Sequence, residues 1–295
     1  MSIADSRGLS PSSRGRTNRP LLPEEPPTKR RWVAPDDSSG WRTFTHQQAA
    51  LDAAAADDSI WAKEQNKNGK RSYIVASRDD FWRRYRTLPS DFRHYYELIR
   101  HGSPCHLYLD VEYCRRANPT ADGARMIRTL LAELRAALAS LLEIDAAATD
   151  DWLRVVDLDS STPTKFSRHL ILKLHNGMTA FSDNLHCGRF VHKVCANLLR
   201  RSHAEPEIAA LFVKPPLPKE EEAEGTADGG GASSAAPTEG EKSRSSSSSS
   251  VPPPLVCLID LTVYTRHRCF RLYKSSKAGK RAELLPTGMT EEERF

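Results

Sequence analysis

Two carboxylates stand two residues apart in the run LYLDVEY. Leu107, Leu109 and Val111 alternate there with Tyr108, Asp110 and Glu112. Apolar–polar alternation is the period of a half-buried strand. Residues i and i+2 on a strand share one face, about 6.6 Å apart at roughly 3.3 Å per residue. Two facing carboxylates repel. At ~4 Å the repulsion runs from ~1 kcal/mol in water to ~4 kcal/mol at an effective dielectric of ~20. A divalent cation turns that repulsion into attraction, and oxygen-only ligands select hard ions such as Mg²⁺ or Mn²⁺. The alternative for an isolated D-x-E is a solvated strand face, or an ion pair with the neighbouring Arg115 or Arg116.

A third acid, Asp260, sits in LIDLTVY between Ile259 and Leu261, in what reads as another strand. A carboxylate among apolar neighbours is costly unless it is paired or bound to metal. A hydrogen-bonded turn aspartate would satisfy it. So would a two-metal site, in which ions ~3.5–4 Å apart clamp the attacking and leaving oxygens of a phosphoryl transfer.

TKFSRHLIL sets Lys165, Ser167 and His169 at alternate positions. In an extended chain all three project to one side. A cation, a hydroxyl and an imidazole suit a polyphosphate. The alternatives are an ordinary polar strand edge or a Ser–His hydrolase. The hydrolase lacks a nucleophile elbow and would put both residues on one strand. Beyond Asp260 comes a basic run of Arg266, Arg268, Arg271, Lys274, Lys277, Lys280 and Arg281. It holds His267, Phe270 and Tyr273 and no acid. Runs of this kind are commonly solvated faces or nuclear-import signals. Placed directly after a candidate metal carboxylate, this one suits phosphate or template contact.

Positioning these residues requires a mixed α/β scaffold. The 295 residues allow one or two domains, and 39% hydrophobic content implies that part of the chain packs no core. WRTFTHQQAALDAAAA suggests a helix through Trp41, Phe44, Ala49 and Leu51. RSYIVAS (71–77) suggests a strand, SRDDFWRRY a helix capped by Ser77, and SDFRHYYELIR a further helix. In NPTADGARMIRTLLAELRAALASLLE, one apolar helical face is formed by Ile127, Leu130, Leu131, Leu134, Leu138, Leu141 and Leu142. LRVVDLD and KFSRHLILKL read as two strands around SSTPT, and DNLHCGRFVHKVCANLLRR as an amphipathic helix.

Residues 1–38 lack periodicity and are expected to be a disordered tail. Residues 215–254, with prolines, an acidic run, triple glycine and a run of six serines, are expected to be a disordered insert. The folded core is then 39–214 plus 255–295. The net charge of +5 is too small to identify an anionic partner by itself. The six cysteines form no CxxC pair and no Cys/His spacing for zinc, so they are read as reduced thiols. No apolar run approaches the ~20 residues of a membrane span, and no signal-peptide core is present.

Together these pieces resemble the archaeo-eukaryotic primase superfamily: a D-x-E strand, a later S-x-H strand, then a third acid. They are closer still to the eukaryotic primase-polymerases (the PrimPol family). WRTF…Q, CHLYLDVEY, ANPTADG, LDSSTPTKFSRHLI and DLTVYTRHRCFRLYKSSKAGKR match in the same order, from about Trp41 to Leu284. The resemblance implies a bilobed α+β catalytic core with an RRM-like metal-binding module. It implies DNA-templated nucleotidyl transfer with two Mn²⁺ or Mg²⁺ ions, which makes primers de novo, reprimes stalled forks and extends past lesions.

By residue, the resemblance makes Asp110, Glu112 and Asp260 catalytic metal ligands. It makes Lys165, Phe166, Ser167, Arg168 and His169 the triphosphate segment. It adds nucleotide or phosphate contacts through Arg71, Arg268, Cys269, Phe270, Arg271 and Lys277. Cys269 stands where the vertebrate pattern has Asn. Implied partners are single-stranded template DNA and incoming dNTP or NTP, without a membrane; the implied compartments are the nucleus and mitochondrial matrix. The family continues past TEEERF with more of the RRM-like module, a zinc knuckle and an acidic tail for a single-strand-binding protein. A C-terminally incomplete core without zinc is therefore expected. A metal-dependent nuclease is one alternative, although its D…E-x-K strand would place Lys where Cys114 stands. A truncated, non-catalytic nucleic-acid-binding remnant is another.

Overall fold

The computed structural model describes residues 40–145, 152–175, 177–178, 180–216 and 254–288. The expected 1–38 tail and residues 217–253 of the expected insert lie outside the described residues. The first half contains β1 (Arg42–Phe44), α1 (Gln47–Ala53), β2 (Ser59–Glu64), β3 (Arg71–Ala76), α2 (Arg78–Tyr85) and β4 (Tyr95–Ile99). The second contains β5 (Leu107–Cys114), α3 (Gly123–Leu141), β6 (Leu153–Asp159), β7 (Lys165–Leu174), α4 (Asn184–Arg201) and α5 (Pro206–Ala209). The short strands β8 (Phe212–Val213), β9 (Val256–Cys257), β10 (Arg268–Arg271) and β11 (Leu285–Pro286) complete the order.

Two antiparallel sheets carry the fold. One has the strand order β1-β3-β2-β4-β10 and the other β11-β6-β7-β5, while β8 and β9 pair separately. On the first sheet, Ala50 of α1 packs with Ile60, Val75 and Leu98. Phe81 of α2 stacks on Trp61, with ring centroids 3.8 Å apart. Ser77 caps α2 as expected, accepting from the Asp80 amide at 3.1 Å.

The second sheet answers the alternation in LYLDVEY. Leu107, Leu109, Val111 and Tyr113 are buried in one core with Ile127, Leu130, Leu134 and Leu138 of α3 and with Val191 and Leu198 of α4. Each such fully buried apolar side chain contributes roughly 1.5–3 kcal/mol relative to exposure. The opposite face of the strand carries Tyr108, which is buried, and Asp110 and Glu112, which are partly exposed. The backbone of Leu258–Asp260 runs along the free edge of β5. Val111 bridges Ile259, the Glu112 amide donates to Leu258 O at 2.9 Å, and the Asp260 amide donates to Asp110 O at 2.8 Å. The resulting βαββαβ order, with its middle strands β7 and β5, is that of the expected RRM-like module.

Four expectations change. SDFRHYYELIR is a single 3-10 turn over Ser90–Phe92 followed by strand β4, not a helix. Tyr95, Tyr96 and Leu98 are buried between β2 and β10, and sheet pairing of aromatic residues outweighs local helical spacing. The first helix begins only at Gln47, because Arg42–Phe44 pairs with β3. Leu141 is exposed, and Met126 and Ala139 join the apolar face with the four buried residues above, while Leu131 and Leu142 pack on it partly buried. LIDLTVY is no continuous strand: beyond the bridge, Asp260 caps a 3-10 turn over Leu261–Val263. All six cysteines are free thiols.

Candidate active site

The β5–β7 register brings the two motifs together. Asp110 pairs with His169, Glu112 with Ser167, and Cys114 with Lys165. Directly paired side chains share a face, so D-x-E and K-x-S-x-H form one patch. The bridge on the other edge of β5 sets Asp260 beside Asp110. His169, Asp110 and Asp260 therefore form a row across three chain segments. Asp260 Oδ1 accepts from the Thr262 amide at 2.8 Å, which is the turn role open to it from sequence.

Asp110 is pushed up to about 6, first by burial and then by the charge of Glu112; Asp260 adds to the rise, and Lys165 and Arg271 oppose it. Its Oδ1 is buried without a hydrogen-bond partner. Glu112 Oε2 accepts from Lys165 Nζ, so the ion pair forms with that lysine and not with Arg115 or Arg116. His169 is held well below the usual histidine range by burial, and then by Arg271, Lys277 and Lys165, and is neutral. Its ring stacks on Phe270 with centroids 4.1 Å apart.

A cavity of about 700 Å³ opens over this face. Asp110, Glu112, Lys165, Ser167 and His169 line one side. Arg71, Arg268, Cys269, Phe270, Arg271 and Lys277 also line it, from β3, β10 and the loop after β10. Arg271 is fixed by donating to Ala282 O at 3.0 Å and to Ser160 Oγ at 2.9 Å. Arg71 lies over the Tyr96 ring at 4.8 Å. The charge run 266–281 therefore splits between a strand and a loop, both at the cavity.

Three candidate residues do not line it. Phe166 points to the opposite face, where it stacks on Tyr113 with centroids 4.8 Å apart. Arg168 shares that face and pairs with Asp157 at 3.0 Å and Asp159 at 3.5 Å. Both placements follow from the period of two: in a strand, only Lys165, Ser167 and His169 can share the site face. Asp260 flanks Asp110 without reaching the cavity wall.

Other lining residues had no sequence signal tied to the site. Glu64 ends β2, a strand not read from sequence, and Tyr96 sits in the segment read as a helix. Ser160 also lines the cavity and joins the two walls, donating to Ser167 Oγ at 3.1 Å while accepting from Arg271. Its place in SSTPT, directly before the S-x-H strand, was the available clue.

A hard divalent ion fits this donor set. The unpartnered Asp110 oxygen and the like charge of Glu112 beside it are what such an ion would satisfy. Among the described residues, no group of three His, Cys, Asp or Glu is close enough to enclose a metal by itself. Asp110 and Glu112, with Asp260 adjacent, would be the protein's ligands, and substrate phosphates and water would supply the rest, a common arrangement for Mg²⁺-type ions.

An α+β fold with antiparallel sheets, and acids on the inner strand of an RRM-like module, is the architecture of a primase-type catalytic core. The chain is similar to curated DNA-directed primase/polymerase proteins. It is 34% identical over 254 residues to the DNA-directed primase/polymerase protein of Danio rerio, covering 84% of this chain and 45% of that protein. It is 34% identical over 305 residues to that of Homo sapiens, covering 94% and 51%, and 34% identical over 277 residues to that of Mus musculus, covering 89% and 47%. The chain thus spans about half the length of the curated relatives it matches. No family model matches it. No helix among the described residues is long and apolar enough to cross a membrane.

Proposed function

We propose that this chain carries the nucleotidyl-transfer site of a DNA-directed primase/polymerase, acting on a single-stranded template with incoming dNTP or NTP. The observation that supports this most directly is the pairing of Asp110 and Glu112 with His169 and Ser167 across one ladder, beneath a cavity walled by Arg71, Arg271 and Lys277. Asp110, Glu112 and Asp260 would hold two Mn²⁺ or Mg²⁺ ions, which when bound would lower the pKa of the primer hydroxyl and neutralise the departing pyrophosphate. Lys165, released from Glu112, would meet phosphate oxygens together with Arg271 and Lys277. Ser167 would donate its hydroxyl. His169, neutral and braced by Phe270, would offer one N–H without adding charge. Arg268 and Cys269 would border the nucleotide from β10. Primer synthesis, repriming and lesion bypass belong to the same proposal.

The test is incubation with a primed template, labelled dNTP and Mn²⁺. Template-dependent extension supports the proposal. Shortening of the primer would indicate a nuclease, and retention of DNA without chemistry a binding remnant; either outcome would overturn it.

A further inference from the structure

Glu64 is an acid in a cavity whose proposed ligand is a polyphosphate. Such a carboxylate repels the ligand unless its charge is already engaged. The residue is 8% exposed. Its Oε2 accepts from two donors that belong to different parts of the fold: Tyr96 Oη on β4 at 2.9 Å, and the Ala278 amide at 3.0 Å. Ala278 follows Lys277 in the loop between β10 and β11. An amide bound to a carboxylate is a charge-assisted hydrogen bond, stronger than a neutral one.

The rest of that loop is tied down on the far side of Lys277. The Ser276 amide donates to Arg93 O at 3.0 Å, and Ser275 Oγ accepts from the Tyr95 amide at 3.1 Å. Gly279 adopts a φ of 76°, and a Cβ there would lie 2.5 Å from Lys67 Cε. The loop is therefore pressed onto the β2–β3 turn. The Glu64 carboxylate anchors the backbone on the Ala278 side of Lys277, and the His94 ring meets Ser276 O on the other side at 3.1 Å.

We propose that Glu64 is a positioning residue. It fixes the backbone at Ala278 so that Lys277 is presented to the phosphates of the incoming nucleotide without an entropy loss on binding. This rests on the reading of Lys277 as a phosphate contact.

The test is a double-mutant cycle that reads binding of a non-hydrolysable deoxynucleoside triphosphate with Mn²⁺, and binding of template DNA, for the full chain. Glu64→Ala and Lys277→Ala are each expected to weaken nucleotide binding by up to roughly tenfold, the scale of one charge-assisted contact. The double variant should bind no more weakly than Lys277→Ala alone. Glu64→Gln, whose amide oxygen still accepts, should restore most of the affinity, and template binding should not change. Glu64→Asp keeps the charge but ends one carbon short of Ala278. It should behave like Glu64→Ala, and it replaces that variant in the cycle if the alanine chain does not fold. Additive losses, or wild-type nucleotide binding in both Glu64→Ala and Glu64→Asp, would overturn the inference. Unchanged binding in Lys277→Ala would instead overturn the phosphate reading on which it rests.

Discussion

Asp110 and His169 face each other across the β5–β7 ladder, with Asp110 Oδ1 3.9 Å from His169 Nε2. That is too far for a hydrogen bond. A partly buried acid and a neutral imidazole are thus held side by side, and neither satisfies the other. On the proposed reading, the pairing would place a ligand for a cation next to a donor for an anion, as a metal–triphosphate complex requires.

Asp110→Asn should leave the metal-free fold as stable as wild type or slightly more so. It removes a partly buried charge whose Oδ1 is buried and unpartnered, and relieves its repulsion with Glu112. The rise in melting temperature on adding Mn²⁺ should disappear, because an ion that binds only the folded state stabilises in proportion to its affinity. Extension activity should fall by roughly 10²-fold or more, given the several kcal/mol that metal ions supply to such transition states. Melting curves with and without Mn²⁺ check this; an equal Mn²⁺ shift in both proteins would rule out Asp110 as a ligand.

The Mn²⁺ effect should also depend on pH. The Asp110 carboxyl is pushed up to about 6 in the fold, against an ordinary value of ~3.9. The folded state therefore binds more protons between those values. The stabilising contribution is complete below ~3.9 and is lost as pH rises through about 6. Above that pH the carboxylate is free to take an ion, so the Mn²⁺-induced rise in melting temperature should be larger at about pH 7.5 than at about pH 5. An identical rise at both, measured in otherwise matched buffers, would contradict the assignment.

Lys165→Ala and His169→Ala should each weaken apparent nucleotide affinity by roughly tenfold, while template affinity in gel shifts stays near wild type. Both residues line the cavity on the strand paired with the acids. Loss of template binding with nucleotide binding intact would make β7 a DNA contact instead.

Gly188→Ala on α4 should lower stability by about 1–3 kcal/mol, the usual range for overpacking, despite the better helix propensity of alanine. A Cβ there would lie 2.6 Å from Tyr264 Cβ, an atom next to the backbone that cannot swing away. Tyr264 is also fixed at its other end, donating to Tyr108 O at 2.6 Å. Urea denaturation measures the loss; an unchanged midpoint would show that α4 shifts freely.

Replacing residues 217–253 with a short Gly/Ser linker should preserve the fold and raise stability by roughly 1–2 kcal/mol, since loop closure costs ~0.6 kcal/mol per doubling of length. The flanking residues make this feasible: Val213 is paired with Val256 across β8 and β9. A shortened chain that no longer melts cooperatively would assign the insert a structural role.

LYLDVEY and KFSRHLILKL declared their strands, and hence which side chains share a face, because a period of two is a local property of each segment. The helices α3 and α4, the acids and the S-x-H pattern were legible for the same reason. Facing partners were not legible, because register depends on which strand lies opposite and where its pairing begins. Only the folded chain set His169 against Asp110, brought Asp260 alongside through a single bridge, and turned Phe166 and Arg168 to the other side. It also made Tyr95–Ile99 a strand between two others, against a local spacing that suggested a helix. The misread segment carried Tyr96, and with it the hydrogen bond that ties Glu64 to the cavity. Periodicity reports on neighbours along the chain, whereas a site assembled from two sheets is decided by the packing that brings the sheets together.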